Sequence, residues 1–197
     1  MSTLFFLIPD QFSMKISSNK DLSFSDAEFL LLKGYIPGIT RLDVEPEHID
    51  LVIEHTESEE KKLIQKENFV HIFDAWNGVF SADLYHLLYG IVRVQFLKRN
   101  LFPIHGACVG KGGYVLMVGH SGVGKTSVVL RLLENADTKI FSGNKTVVSF
   151  GSDNKLVAVA GTPTITIRGS DKSRLDDLKI ADHVEYWDRY AFMLNPE

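Results

Sequence analysis

The sequence predicts an α/β fold whose N-terminal portion, residues 1–80, is β-rich and whose remainder, 81–197, is a second domain or a continuation of the first. Three observations predict it. Short runs of β-branched and aromatic residues, punctuated by turn residues, fill the N-terminal portion. An amphipathic helical pattern starts at Ser81. From Tyr114 an apolar, strand-like run passes through a glycine-rich turn directly into a second helical pattern at Thr126.

In chain order, residues 4–8 and 12–16 read as strands joined through Pro9, Asp10 and Gln11. Residues 26–34 read as a short helix ended by Gly34. Residues 50–55 and 69–73 read as two more strands, with the charged run from Glu57 to Lys62 between them as a solvated loop. The helix over 81–100 has Ser81 as N-cap and Asp83 in its first turn, where a negative charge is favourable. Leu84, Leu87, Leu88, Ile91, Val92 and Leu97 recur at helical spacing, and Lys98 and Arg99 close the C-terminus. Gly90 inside it costs about 1 kcal/mol relative to Ala, so close packing is expected there. Leu84, Leu88 and Ile91 are expected to cover the core around residues 114–118, and that strand is expected at the centre of its sheet. Beyond the second helix, residues 145–150, 156–160 and 164–168 read as strands separated by turns at 151–154 and 161–163. Residues 187–194 read as a final strand, and the abrupt stop at Asn195, Pro196 and Glu197 fits a larger parent protein.

Residues 119–126, Gly-His-Ser-Gly-Val-Gly-Lys-Thr, complete the pattern G-x-x-x-x-G-K-[ST] between a strand and a helix, the setting that the P-loop motif requires. Gly119, Gly122 and Gly124 lack a Cβ, so the turn can adopt positive φ and bring its N–H groups close to a polyphosphate. Backbone and side-chain atoms of Gly119, His120, Ser121, Gly122, Val123, Gly124, Lys125, Thr126 and Ser127 form the predicted nucleotide cradle. In this motif Lys125 reaches the outer phosphates and the Thr126 hydroxyl ligates Mg²⁺. ATP is the expected nucleotide. GTP ranks lower, because the only approach to a base-reading Asn-Lys-x-Asp motif, Asn144 to Val147, ends in valine.

Composition sets the remaining bounds. The 197 residues, with 45% hydrophobic content and mixed charges, suit a globular enzyme rather than a disordered chain. A net charge of −4 without a Lys/Arg tract argues against nucleic acid or an anionic membrane as partner. The single cysteine, Cys108, has no internal disulfide partner and lies in an apolar stretch, where a buried inert thiol is expected. The apolar run at Leu4–Pro9 is too short for a signal peptide or a membrane span, so the expected location is cytoplasmic.

The helix, the segment Leu101-Phe-Pro-Ile-His-Gly-Ala-Cys-Val109, the turn Lys111-Gly-Gly113 and the P-loop together resemble the catalytic domain of HPr kinase/phosphorylase and its relatives, over roughly residues 81–168. The resemblance implies a P-loop fold related to phosphoenolpyruvate carboxykinase, with phosphoryl transfer from ATP to a hydroxyl of a protein or small molecule. It places His105, followed by Gly106 and Ala107, at the family's histidine position, which makes His105 and Lys125 the candidate catalytic residues. Residues 162–168 resemble the Gly-x-Pro-containing strand of these relatives, and Arg168 reads as a surface charge or a phosphate contact.

One departure bears on chemistry. Ser142 and Gly143 stand where the resemblance places an Asp-Asp pair that handles Mg²⁺ and the acceptor hydroxyl. The segment Ser142-Gly143-Asn144 reads either as a plain turn or as a modified site to which Asn144 or Lys145 contributes; Asp153 and Asp171 are alternative sources of an acid. Three readings follow: an HPr kinase-like phosphotransferase, a nucleotide-binding regulatory or assembly module with impaired chemistry, and, last, a GTPase switch.

Overall fold

The computed structural model describes residues 2–22, 26–77, 82–134, 137–165, 184–187 and 191–194. It is mixed α/β with strands dominating. Its contacts divide the chain into two compact units at Val92/Arg93, inside the second helix.

The N-terminal unit is built on a six-stranded sheet. Strands β1 (Ser2–Ile8) and β2 (Phe12–Ser18) form the expected hairpin. Asp10 and Gln11 adopt φ of 68° and 55°, which matches the right-handed twist of the flanking strands. Helix α1 (Asp26–Tyr35) leads to the edge strand β3 (Thr40–Leu42), which pairs with β1. Strands β4 (Leu51–Glu57) and β6 (Phe69–Asp74) add parallel to β2, and β5 (Lys62–Lys66) closes the other edge. The solvated loop expected up to Lys62 is therefore shorter, because Lys62 pairs with Phe73 as the first residue of β5. A charged strand at a sheet edge leaves no alternating pattern to read, and its lysines discourage pairing with another chain.

Phe6, Phe12, Met14, Ile16, Leu32, Leu51 and Ile53 are fully buried and form the core of this unit. His55 is buried with them, at 1% exposure. Its Nε2 lies 2.9 Å from the Asp74 carbonyl oxygen, which can only accept, so Nε2 carries the proton. Nδ1 then accepts from the Ser18 hydroxyl at 2.8 Å, and the ring meets Trp76 edge-on at 5.2 Å. Burial holds the His55 pKa below the usual imidazole value of 6.5. Below that pH the unfolded chain takes up a proton that the folded chain resists, so stability present at neutral pH declines on acidification. Each unit of depression corresponds to about 1.4 kcal/mol. The urea midpoint is expected to fall between pH 7 and 5, and His55→Gln is expected to flatten part of that slope; an identical slope in the variant would refute the assignment.

Helix α2 (Ala82–Lys98) appears where its periodicity placed it, with Leu84, Leu88, Ile91 and Val92 buried. Tyr85 stacks on Tyr35 at 5.7 Å and meets Trp76 at 6.2 Å, so the first half of α2 packs in the N-terminal unit. Gly90 has open space around it, not the close packing expected there. Ser81, its expected N-cap, lies outside the described residues.

In the C-terminal unit, β7 (Phe102–Gly110) is the organising strand. One edge of β7 pairs with β8 (Tyr114–Val118). Its other edge is taken first by β9 (Lys139–Ser142) and then by β10 (Lys145–Phe150), both antiparallel to it. Residues 139–150 thus run along one edge of β7 in succession, with a bulge at Phe141, since Ile140 faces Val109 while Ser142 faces Cys108. Strand β11 (Leu156–Gly161) pairs with β10. Helix α3 (Lys125–Leu133) buries Val129 and Leu130 against Ala107 and Val109 of β7. A three-stranded sheet joins β12 (Thr164–Ile165), β13 (Val184–Trp187) and β14 (Ala191–Leu194) in the order β12-β14-β13. The single tail strand expected over 187–194 is instead two antiparallel strands, and residues 166–168 and 195–197 lie outside the described residues.

The sheet order corrects one expectation. Among the described strands β8 is at an edge, not at the centre, and Tyr114, Val115 and Val118 are 54%, 62% and 63% exposed. The physical reason is the succession of β9 and β10 along the far side of β7, which leaves β8 outermost. None of the described helices is long and apolar enough to cross a membrane.

Candidate functional site

The glycine loop lies between the C-terminal end of β8 and the N-terminus of α3, as the motif demands. Gly122 and Gly124 have φ of 84° and 95°, where a side chain would be strained, so these two glycines are required by backbone conformation. Gly124 is the N-cap of α3 and no side chain caps that helix. The first turn of a helix leaves N–H groups without intrahelical partners, and with the helix dipole they favour an anion at this end. Lys125 bends back over the loop, its Nζ donating to Gly119 O at 2.7 Å and to His120 O at 3.0 Å. Phosphate oxygens would exchange for those carbonyls without moving the lysine far. His120, Ser121 and Val123 are exposed on the loop, while Thr126 sits half-buried beside Lys125.

Register brings the other candidates to the same place. Val118 of β8 faces Gly106 of β7, so the next row across the sheet holds the start of the loop, then His105, then Lys145 of β10. Side chains alternate along a strand, so His105 shares a face with Ala107 and Val109, the face that α3 covers. Lys145 is its direct cross-strand partner and projects from that same face. Partial burial of the ring, Lys125 and Lys145 all push the His105 pKa below the ordinary imidazole value.

The departure at Ser142 and Gly143 has a structural explanation. Ser142 is fully buried and its hydroxyl donates to Lys145 O at 2.6 Å. A Cβ at Gly143 would stand 2.3 Å from Thr164 O and 2.6 Å from Ile165 Cγ1. The segment does not reverse the chain; it continues the strand, with Gly106 N donating to Asn144 O and Gly143 N to Thr162 O, both at 3.0 Å. No carboxylate fits at Gly143. Gly143→Asp is expected to destabilise the protein by about 1–3 kcal/mol through overpacking, read as a lowered urea midpoint with unchanged slope. A variant as stable as wild type would contradict the tight fit.

The alternative acids lie elsewhere. Asp153 sits in the turn between β10 and β11, paired with Lys155 at 2.7 Å, at the opposite end of β10 from Lys145. Asp171 and Arg168 lie outside the described residues. The other acids of residues 93–165 are Glu134, which pairs with Arg131 at the C-terminal end of α3, and Asp137, which pairs with Lys111 beyond the far end of β8. Among the described residues no group of His, Cys, Asp or Glu gathers that could hold a metal ion. The Thr126 hydroxyl is the described group that would hold the motif's Mg²⁺. Cys108 is buried in β7 and its thiol pKa is raised by that burial, which leaves it inert as expected.

Sequence reasoning named Lys145 only as a possible contributor. What it missed is the burial of this lysine, at 8% exposure, and the clamp on its backbone: Lys145 N donates to Thr162 Oγ1 at 3.0 Å and Thr162 N donates to Lys145 O at 2.9 Å. The register that sets it beside His105 is long-range and carries no local sequence signal. Comparison with known protein families and with curated proteins finds no match to this chain.

Proposed function

We propose that the chain binds ATP through Gly119–Thr126 and transfers its terminal phosphoryl group to a hydroxyl of a protein or small molecule, as an HPr kinase-like phosphotransferase. The observation that carries this reading is the row formed by the loop, His105 and Lys145 on the face that α3 covers, with Lys125 closing it. Lys125 and the loop N–H groups would hold and neutralise the phosphates, which is most of what a loose phosphoryl-transfer transition state asks of a protein. His105, whose pKa its surroundings lower, would take the acceptor proton. The resemblance to the HPr kinase group supports the reading through its local order of helix, histidine strand, glycine turn and loop, while the edge position of β8 counts against that group's fold.

A second reading, a nucleotide-binding regulatory or assembly module with impaired chemistry, is favoured by one observation: the absence of room for a carboxylate at Gly143. The decisive first test of both is ATP binding. A ligand that binds only the folded state at about 100 times its Kd stabilises by roughly 2.7 kcal/mol, so ATP should raise the thermal midpoint markedly. Incubation with labelled ATP then separates the two, since only the phosphotransferase consumes nucleotide in step with labelling of an acceptor. No ATP-dependent stabilisation would overturn both.

A further inference from the structure

The sheet of the C-terminal unit has a second face, and that face carries a cavity. Side chains alternate along β7, so Cys108 points away from the face on which Ala107 and Val109 hold α3. Register carries the Cys108 face across the sheet: Leu116 of β8 lies opposite Cys108, and Val148 of β10 lies opposite Ala158 of β11. These four side chains line a cavity of about 480 Å³ within the C-terminal unit. Cys108 and Val148 are each 2% exposed and form its floor. Tyr114 and Phe141 bound it with ring centroids 5.5 Å apart and planes inclined at 60°. Tyr114 is 54% exposed and marks the mouth.

The lining states what it would take. None of its side chains carries a charge, so a charged occupant would lose hydration against them without gaining an ion partner. Burial raises the Cys108 pKa and keeps the thiol protonated, so the floor presents a soft, weakly polar sulfur rather than a thiolate. The inclined rings of Tyr114 and Phe141 offer a third ring both a face and an edge, the two arrangements that aromatic pairs prefer. The volume agrees, since cavities of about 300–1,000 Å³ hold small organic ligands. We infer that this cavity is a binding site for an uncharged aromatic molecule, packed against Tyr114 and Phe141 over Cys108 and Val148. It lies on the sheet face opposite α3 and does not rest on the nucleotide reading.

The test is isothermal titration of the full chain with 2-naphthol, which is uncharged at neutral pH, and with 2-naphthoate, the same ring system bearing a carboxylate. Wild type is expected to bind 2-naphthol saturably at a single site and 2-naphthoate at least about tenfold more weakly. Ala158→Phe fills the cavity while adding apolar surface, so it should weaken 2-naphthol by about tenfold or more. A probe that merely adheres to exposed apolar side chains would bind that variant at least as well as wild type. Excess ATP should leave 2-naphthol binding unchanged, whether or not ATP itself binds. Three results overturn the inference: no saturable binding by wild type, equal affinity for the two probes, or an Ala158→Phe that binds 2-naphthol as wild type does. Displacement of 2-naphthol by ATP would put the probe in the nucleotide site and overturns it as well. A dimer in sedimentation that 2-naphthol dissociates would make a second copy of the chain the occupant, with the same consequence. Circular dichroism melting checks that Ala158→Phe is folded; if it is not, Ala158→Leu, a smaller filler at the same position, decides.

Discussion

Lys125→Ala is expected to abolish ATP-dependent stabilisation while leaving the melting of the unliganded protein close to that of wild type. The two halves of this expectation have separate causes. Lys125 is half-exposed on the loop and its polar contacts are the carbonyls of Gly119 and His120, which face solvent once the ammonium is gone. Truncating it therefore leaves no cavity and no buried unpaired group, and changes of this type usually stay within about 0.5 kcal/mol. Ligand binding is another matter. Removing one partner of a charge pair that forms on binding costs about 2–5 kcal/mol, or roughly 30- to several-thousand-fold in affinity. At a ligand concentration of about 100 times the wild-type Kd, a thousandfold weaker variant retains under about 0.1 kcal/mol of stabilisation. The pair of melting curves, with and without ATP, for wild type and variant checks it. Equal shifts in both would show that ATP, if it binds, binds somewhere other than this loop.

How much of this was legible in the sequence depends on whether the signal was local. The strand, glycine turn and helix from Tyr114 to Leu133 could be read because each step has a local physical cause: an apolar run, positive φ at Gly122 and Gly124, then apolar residues at helical spacing. The hairpin at Asp10 and Gln11 was legible in the same way, as were strands β4 and β6 though not their parallel pairing. The edge strands β3 and β5 were not, because a charged edge carries no alternation. Sheet order was not legible either. An apolar strand such as residues 114–118 suggests burial on both faces, but its neighbours are chosen by long-range pairing, and β9 and β10 took the other side of β7. At the site, the glycine loop and His105 could be named from residue types at fixed spacing. The role of Gly143 as a close contact with Thr164, and of Thr162 as a clamp on Lys145, arises from segments far apart in sequence and leaves no local pattern.

The second large effect concerns turnover. With no carboxylate at Ser142 or Gly143, the candidate base under the proposed function is His105, whose pKa is held below the ordinary imidazole value and which lies one row beyond the strand position that leads into the loop. A positioned general base contributes about 10²–10⁴-fold. If His105 has that role, His105→Ala should lower transfer at saturating ATP and acceptor by about 10²-fold or more, with the ATP dissociation constant unchanged. Lys125→Ala should do the reverse at low nucleotide, acting first through binding. The loose transition state of phosphoryl transfer sets a floor, because positioning and charge neutralisation by the loop sustain slow turnover without any base. Slow ATP loss that is identical in wild type and His105→Ala would therefore place the wild-type chain at that floor already. That outcome would remove the catalytic role of His105 and leave the nucleotide-binding module as the reading consistent with a closed, carboxylate-free Ser142-Gly143 segment.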